Sequence, residues 1–142
     1  MNKLIYVLSL TLLASNVFGQ SKFFKEKKTV ELACDKVMNF FKDSKFSEAL
    51  DTLKPYSIIE STQFDEMLGT VTQQMEKAKL NYGKLLSYEF IKERPIKEFF
   101  SQRLYVLKFE NYFLEAYFNL YNNGTGWTIT YFGYTQDIED LF

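Results

Sequence analysis

The chain has 142 residues and no histidine. That absence excludes His-based triads, imidazole acid–base catalysis and His-ligated zinc. Cys34 is the sole cysteine, so no disulfide can close within the chain. It is also a poor lipid-attachment site, since Glu31-Leu32-Ala33 precedes it and a charged stretch separates it from the apolar run near the start. Its spacing from neighbouring apolar residues reads as a small hydrophobe on a helix face. The six glycines are scattered singly, which leaves no phosphate-cradling loop, and no Asp/Asn ladder resembles a calcium loop. An excess of one charge is missing as well. With 17 Lys+Arg, 18 Asp+Glu and a net charge of −1, nothing electrostatic favours nucleic acid or an anionic membrane surface. No cofactor and no metal is implied.

What is present begins with residues 1–19. Lys3, an apolar run from Leu4 to Leu13, a short polar break and Val17-Phe18-Gly19 ahead of Gln20 describe a secretory signal peptide. A membrane anchor needs roughly 20 apolar residues; Ser9, Thr11, Ser15 and Asn16 make this stretch too short and too polar. The reading is cleavage after Gly19, export to the periplasm or outside the cell, and no stable membrane anchor afterwards. Losing Lys3 leaves 16 basic residues against 18 acidic ones, a net of −2. Residues 20–29 then read as a leader, its basic run from Lys22 to Lys28 broken by Glu26. Residues 30–142 read as one α+β domain, large enough for its own core.

Apolar periodicity places the elements. Val30, Ala33, Cys34, Val37, Phe40 and Phe41 form a helical stripe, with Thr29 able to cap it and Glu31 in the first turn. Phe46, Ala49, Leu50 and Leu53 resume the stripe in a short helix that Pro55 closes. Thr62, three residues before Asp65, suggests a capping-box start for a third helix, lined by Phe64, Met67, Leu68, Val71, Met75 and Ala78 and ended by Asn81-Tyr82-Gly83. Gly69 inside it suggests a close approach of the backbone to the sheet. Aromatics make up 18% of the chain and concentrate between Tyr82 and Tyr134, which favours strands there. The period of two predicts strands at 84–93 (broken by Arg94-Pro95), 100–109, 112–121 and 127–134, with turns at Glu110-Asn111 and Asn122-Asn123-Gly124. Asn123-Gly124-Thr125 satisfies the N-glycosylation pattern, but the hairpin turn accounts for it.

Alternation then assigns faces. Tyr112, Leu114, Ala116, Phe118 and Leu120, with Trp127, Ile129 and Tyr131, are expected against the helices. Phe113, Tyr117, Tyr121, Phe132 and Tyr134 are expected on the outer face, an aromatic patch larger than a monomer usually exposes. Two explanations stay open: an interface, or a cover made by the acidic tail or by the residues before Val30.

The layout of helices followed by aromatic strands over Thr62 to Tyr134, with Asn122-Asn123-Gly124-Thr125-Gly126-Trp127-Thr128-Ile129 opening the last one, resembles the nuclear transport factor 2-like (cystatin-like α+β) superfamily. The resemblance is one of order and pattern. It implies two to three N-terminal helices on a curved four-stranded antiparallel sheet, cone-like, with an apolar pocket and pairing through the outer sheet face in many members. Superfamily enzymes use acidic residues and tyrosines, or Asp-His pairs; the latter are impossible here, and the inward sets of the last two strands hold no carboxylate. The first expectation is therefore an exported, non-catalytic module that forms a homodimer or docks a protein partner through Phe113, Tyr117, Tyr121, Phe132 and Tyr134. The first alternative is a small apolar ligand held between helices and sheet by Tyr88, Trp127 and Tyr131. The second is an isomerase- or hydrolase-type enzyme using carboxylate and tyrosine. No catalytic residue is assigned.

Overall fold

The computed structural model describes residues 22–142; the signal-peptide segment and its cleavage point lie outside them. Three helices pack on one face of a four-stranded antiparallel sheet, an α+β architecture. Helix α1 (Lys27–Lys42) buries Val30, Ala33, Cys34, Val37, Met38 and Phe41, the stripe its spacing requires. It starts after Glu26 rather than at Thr29, so it begins within the stretch read as a leader. Helix α2 (Phe46–Leu53) buries Ala49, Leu50 and Leu53, and Pro55 sits in the 3₁₀ turn Lys54–Tyr56 that follows. Helix α3 (Ser61–Tyr82) turns Phe64, Val71, Met75 and Ala78 inward. Its end is set by Gly83, whose φ of 84° only glycine adopts without strain and whose N–H returns to the Lys79 carbonyl. Gly69 is exposed with open space around it, so the expected close approach to the sheet is not its role.

Strands β1 (Leu85–Ile96), β2 (Phe100–Phe109), β3 (Phe113–Asn122) and β4 (Trp127–Thr135) form a meander in that order. β1 runs through Arg94-Pro95 instead of stopping there. Pro95 is tolerated because β1 is an edge strand, where a missing N–H breaks no ladder on the open side. On the inner face Tyr105, Leu107, Leu114, Ala116, Phe118, Leu120 and Ile129 meet the helices.

A single bulge rearranges the expected faces. Asn119 pairs with Tyr131 but Leu120 pairs with Ile129, so Thr130 is an extra residue in β4. Beyond it the alternation reverses. Phe132 and Tyr134, expected outside, turn inward: Phe132 is 7% exposed, stacks on Phe118 at 4.7 Å and meets Phe41 at 5.3 Å. Tyr131, expected inside, turns out and stacks on Tyr117 at 5.4 Å. Gly133 makes this possible, since a Cβ there would lie 2.6 Å from the Tyr131 ring. Tyr112, expected inward, precedes β3 and packs at the surface on Tyr82 and Phe113.

Two segments close around the sheet. Phe24 exchanges backbone hydrogen bonds with Trp127, and the Ile58 N–H donates to the Ile129 carbonyl, so the first half of β4 is covered along its edge. Residues 136–142, with the 3₁₀ turn Glu139–Leu141, return across the outer face as a strap. Lys92 on β1 donates to the carbonyls of Leu141 and Phe142, and Arg94 pairs with Asp140 at 2.9 Å.

Candidate functional site

The densest chemistry lies between α1 and the inner face of β1 and β2. Arg103, 8% exposed, projects from β2 towards the helix. Its Nε donates to the Tyr105 hydroxyl (2.6 Å), Nη1 to Glu93 (2.5 Å) and Nη2 to Asp35 (2.9 Å). The Tyr105 hydroxyl donates to the same Asp35 oxygen at 2.5 Å. Glu93 also accepts from Lys27 (2.7 Å) and Ser101 (3.2 Å). Arg103 lies over the Phe90 ring at 4.2 Å. Two cations face two carboxylates, and every charged group has a partner.

The electrostatics follow from that pairing. Burial alone would raise the Glu93 carboxyl, but Lys27 and Arg103 hold it below its ordinary value. Burial opposes the Arg103 charge, yet the Tyr105 oxygen and the two carboxylates raise its pKa. Tyr105 is pushed up chiefly by burial, and then by its acidic surroundings. Cys34, fully buried beside the cluster, is pushed up by desolvation as well. A general base needs a lone pair free to take a proton. Here Asp35 Oδ1 and both Glu93 oxygens accept from donors, and the arrangement ties α1 to the sheet.

The outer face is the second candidate. Tyr117, half-buried, stacks on Tyr131, which is 46% exposed, and Tyr121 is also exposed on β3. Burial and the neighbouring Tyr131 hydroxyl push Tyr117 up to about 12. Phe113 is half-buried under Tyr112. The charges on this face pair among themselves, Glu89 with Lys108 at 2.5 Å and Arg94 with Asp140.

The centre of the helix–sheet layer is packed with side chains. Phe41, Phe64, Tyr105 and Phe118 are at most 1% exposed there. Among the described residues, hollows of about 390 to 660 Å³ open at the surface, and the linings of the four best formed do not include Tyr88 or Trp127. Tyr88 and Trp127 do face inward, but on the two edge strands of the sheet: Tyr88 packs on Tyr105, and Trp127 lies beneath Lys27. Tyr131 lines a groove between α3 and β4. The three residues proposed for one pocket therefore do not converge.

No family model, curated protein or solved structure matches the chain. Among the described residues no group of three or more His, Cys, Asp or Glu is placed to hold a metal ion, and no helix is long and apolar enough to cross a membrane.

The inner cluster was not visible in the sequence. Asp35 and Tyr105 are 70 positions apart, and Glu93 stood at the supposed end of a strand. The bulge did leave a signal, because a glycine inside a strand, Gly133, often marks one.

Proposed function

We propose that the chain is an exported, non-catalytic assembly module that pairs with a second copy of itself through the outer sheet face. The open Tyr117–Tyr131 stack carries this reading. Two large aromatic rings stack against each other on the outer sheet face, Tyr131 exposed and Tyr117 half-buried, a surface suited to rigid, apolar contact. Glu89–Lys108 and Arg94–Asp140 pair opposite charges on this face, which limits repulsion between identical copies. The inner cluster points away from catalysis, since its acids, guanidinium and hydroxyl bond one another. The resemblance to the nuclear transport factor 2-like superfamily, many of whose members pair through this face, supports the same reading.

The test is the mass of the particle by light scattering or sedimentation over a concentration series. A dimer in the wild type that dissociates in Tyr131→Lys and in Tyr117→Lys supports the proposal. A wild-type monomer at high concentration refutes it, and so does a dimer that both substitutions leave intact. Phe132→Lys, although next in sequence, is unsuitable because that ring belongs to the core.

A further inference from the structure

The outer face holds a carboxyl group with no partner. Glu115 on β3 is 1% exposed, and neither of its oxygens has a hydrogen-bond donor among the described residues. Its neighbours on the same face, Leu104 and Val106 of β2, are buried although they point away from the helices. The strap runs over this region: its Asp137 and Asp140 act on the Glu115 carboxyl, and Lys92, opposite Leu104, holds its end. To reach β1 from the end of β4 it must cross three inter-strand gaps of about 4.8 Å each, a span that residues 136–140 cover at about 3.3 Å per residue. It is then fastened at the far side by Lys92 and Arg94.

We propose that this strap is a proton-controlled cover: it lies closed while Glu115 is protonated and lifts when Glu115 ionises, freeing Leu104, Val106 and the Tyr117 side of the sheet for a second copy of the chain. The choice of a second copy rests on the assembly reading above; the response of the strap to Glu115 does not.

The surroundings of Glu115 disfavour its charge under the strap. Burial raises its pKa, Asp140 and Asp137 of the strap push the same way, and Arg94 and Lys92 pull against them. Those two cations are already committed, Arg94 to Asp140 and Lys92 to the Leu141 and Phe142 carbonyls. Across the ladders, β2 offers Val106 and β4 offers Thr135. Lys108, farther along β2, is held by Glu89. An ionised carboxylate without donors is therefore tolerated only once water reaches it.

The sign follows. With the strap open, Glu115 meets water and titrates in the ordinary glutamate range; with the strap closed, burial and the acids of the strap raise its pKa above that range. Below both values the group is neutral in either state and does not disturb closure. As pH rises past the open-state value the open form ionises first, and closure weakens about tenfold per pH unit until the closed-state value is passed. Above that the effect is constant.

Amide hydrogen exchange of residues 137–142 in the full protein, corrected for intrinsic rates between pH 4.5 and 8, reads the strap directly. Wild type should lose protection with that slope and then level off. Glu115→Gln and Glu115→Leu should hold the strap equally closed at both ends of the range, and Arg94→Gln should loosen it throughout. Equal wild-type protection at pH 5 and pH 8, or the same slope in both Glu115 variants, overturns the proposal. Mass measured in parallel separates the two ideas. Association that rises as the strap opens, and rises again when residues 136–142 are deleted, supports both. A strap that opens without any change in mass sustains the cover and refutes the second copy as its occupant.

Discussion

Replacing Arg103 by leucine tests whether the inner cluster holds the fold together. The guanidinium donates to Tyr105, Glu93 and Asp35 at 2.5 to 2.9 Å and covers Phe90. Removing one side of a buried ion pair costs about 3–5 kcal/mol, because the remaining charge is left uncompensated. Here the lower end applies. Glu93 keeps Lys27 and Ser101, and the Asp35 side chain, at 36% exposure, can recover water. A loss of about 3 kcal/mol is a large share of the 5–15 kcal/mol typical of a domain. With a urea slope of about 1.5 kcal/mol per molar, the unfolding midpoint should fall by about 2 M. Arg103→Lys should recover only part of this, since one ammonium cannot reach three acceptors in the geometry of a fork. A double-mutant cycle with Glu93→Gln should show coupling above about 1 kcal/mol. If Arg103→Leu stays within about 0.5 kcal/mol of wild type, the cluster is not a structural lock and its four polar groups need another explanation.

The bulge and the acid response give two further expectations. Phe132→Ala should cost about 3–5 kcal/mol by opening a cavity in the core, whereas Tyr131→Ala, one residue earlier, should cost under about 1 kcal/mol; chemical denaturation of both decides the face assignment, and equal losses would contradict it. Because Glu93 is held below its unfolded value, its contribution is full above that value and lost as pH falls through the folded one, so Glu93→Gln should be less stable than wild type at pH 7 and converge with it in strong acid. A constant gap down to the lowest pH would remove Glu93 from the acid response.

Much of the fold was legible in the residue pattern, and the misses share a cause. The stripes through Val30–Phe41 and Phe64–Ala78 placed the helices because burial on one side of a helix is a local, periodic demand. Glu110-Asn111 and Asn122-Asn123-Gly124 marked two hairpins through turn chemistry that is equally local. Pro95 misled because its cost depends on whether its strand lies at an edge, which is a property of the sheet. Thr130 misled because alternation presumes an unbroken ladder, and a bulge costs so little in composition that only Gly133 hinted at it. The outer face was half legible. A folded-back tail was one of two open explanations for its aromatics, and the strap does run over the region of Leu104, Val106 and Glu115 while leaving Tyr131 exposed. The Asp35–Tyr105–Arg103–Glu93 cluster was invisible because it joins a helix to two strands through long-range contact alone.

Two glutamates divide the pH response between them. Glu93, part-buried, and Glu115, buried, are carboxyl groups on adjacent regions of one sheet, yet they shift in opposite directions. The difference lies in donors: Glu93 receives Lys27, Ser101 and Arg103, whereas Glu115 receives none. Desolvation is common to both, so donor supply sets the sign. Acidification therefore removes a stabilising charge from the inner cluster while relieving an unfavourable one beneath the strap. The two responses occupy different pH ranges: strap closure strengthens as pH falls towards the ordinary glutamate value, and the Glu93 contribution is lost only below it. A strap whose protection changed only in the range where Glu93 titrates would be governed by general unfolding rather than by Glu115. That separation is what makes the strap a distinct element, able to respond while the core between α1 and the sheet remains intact.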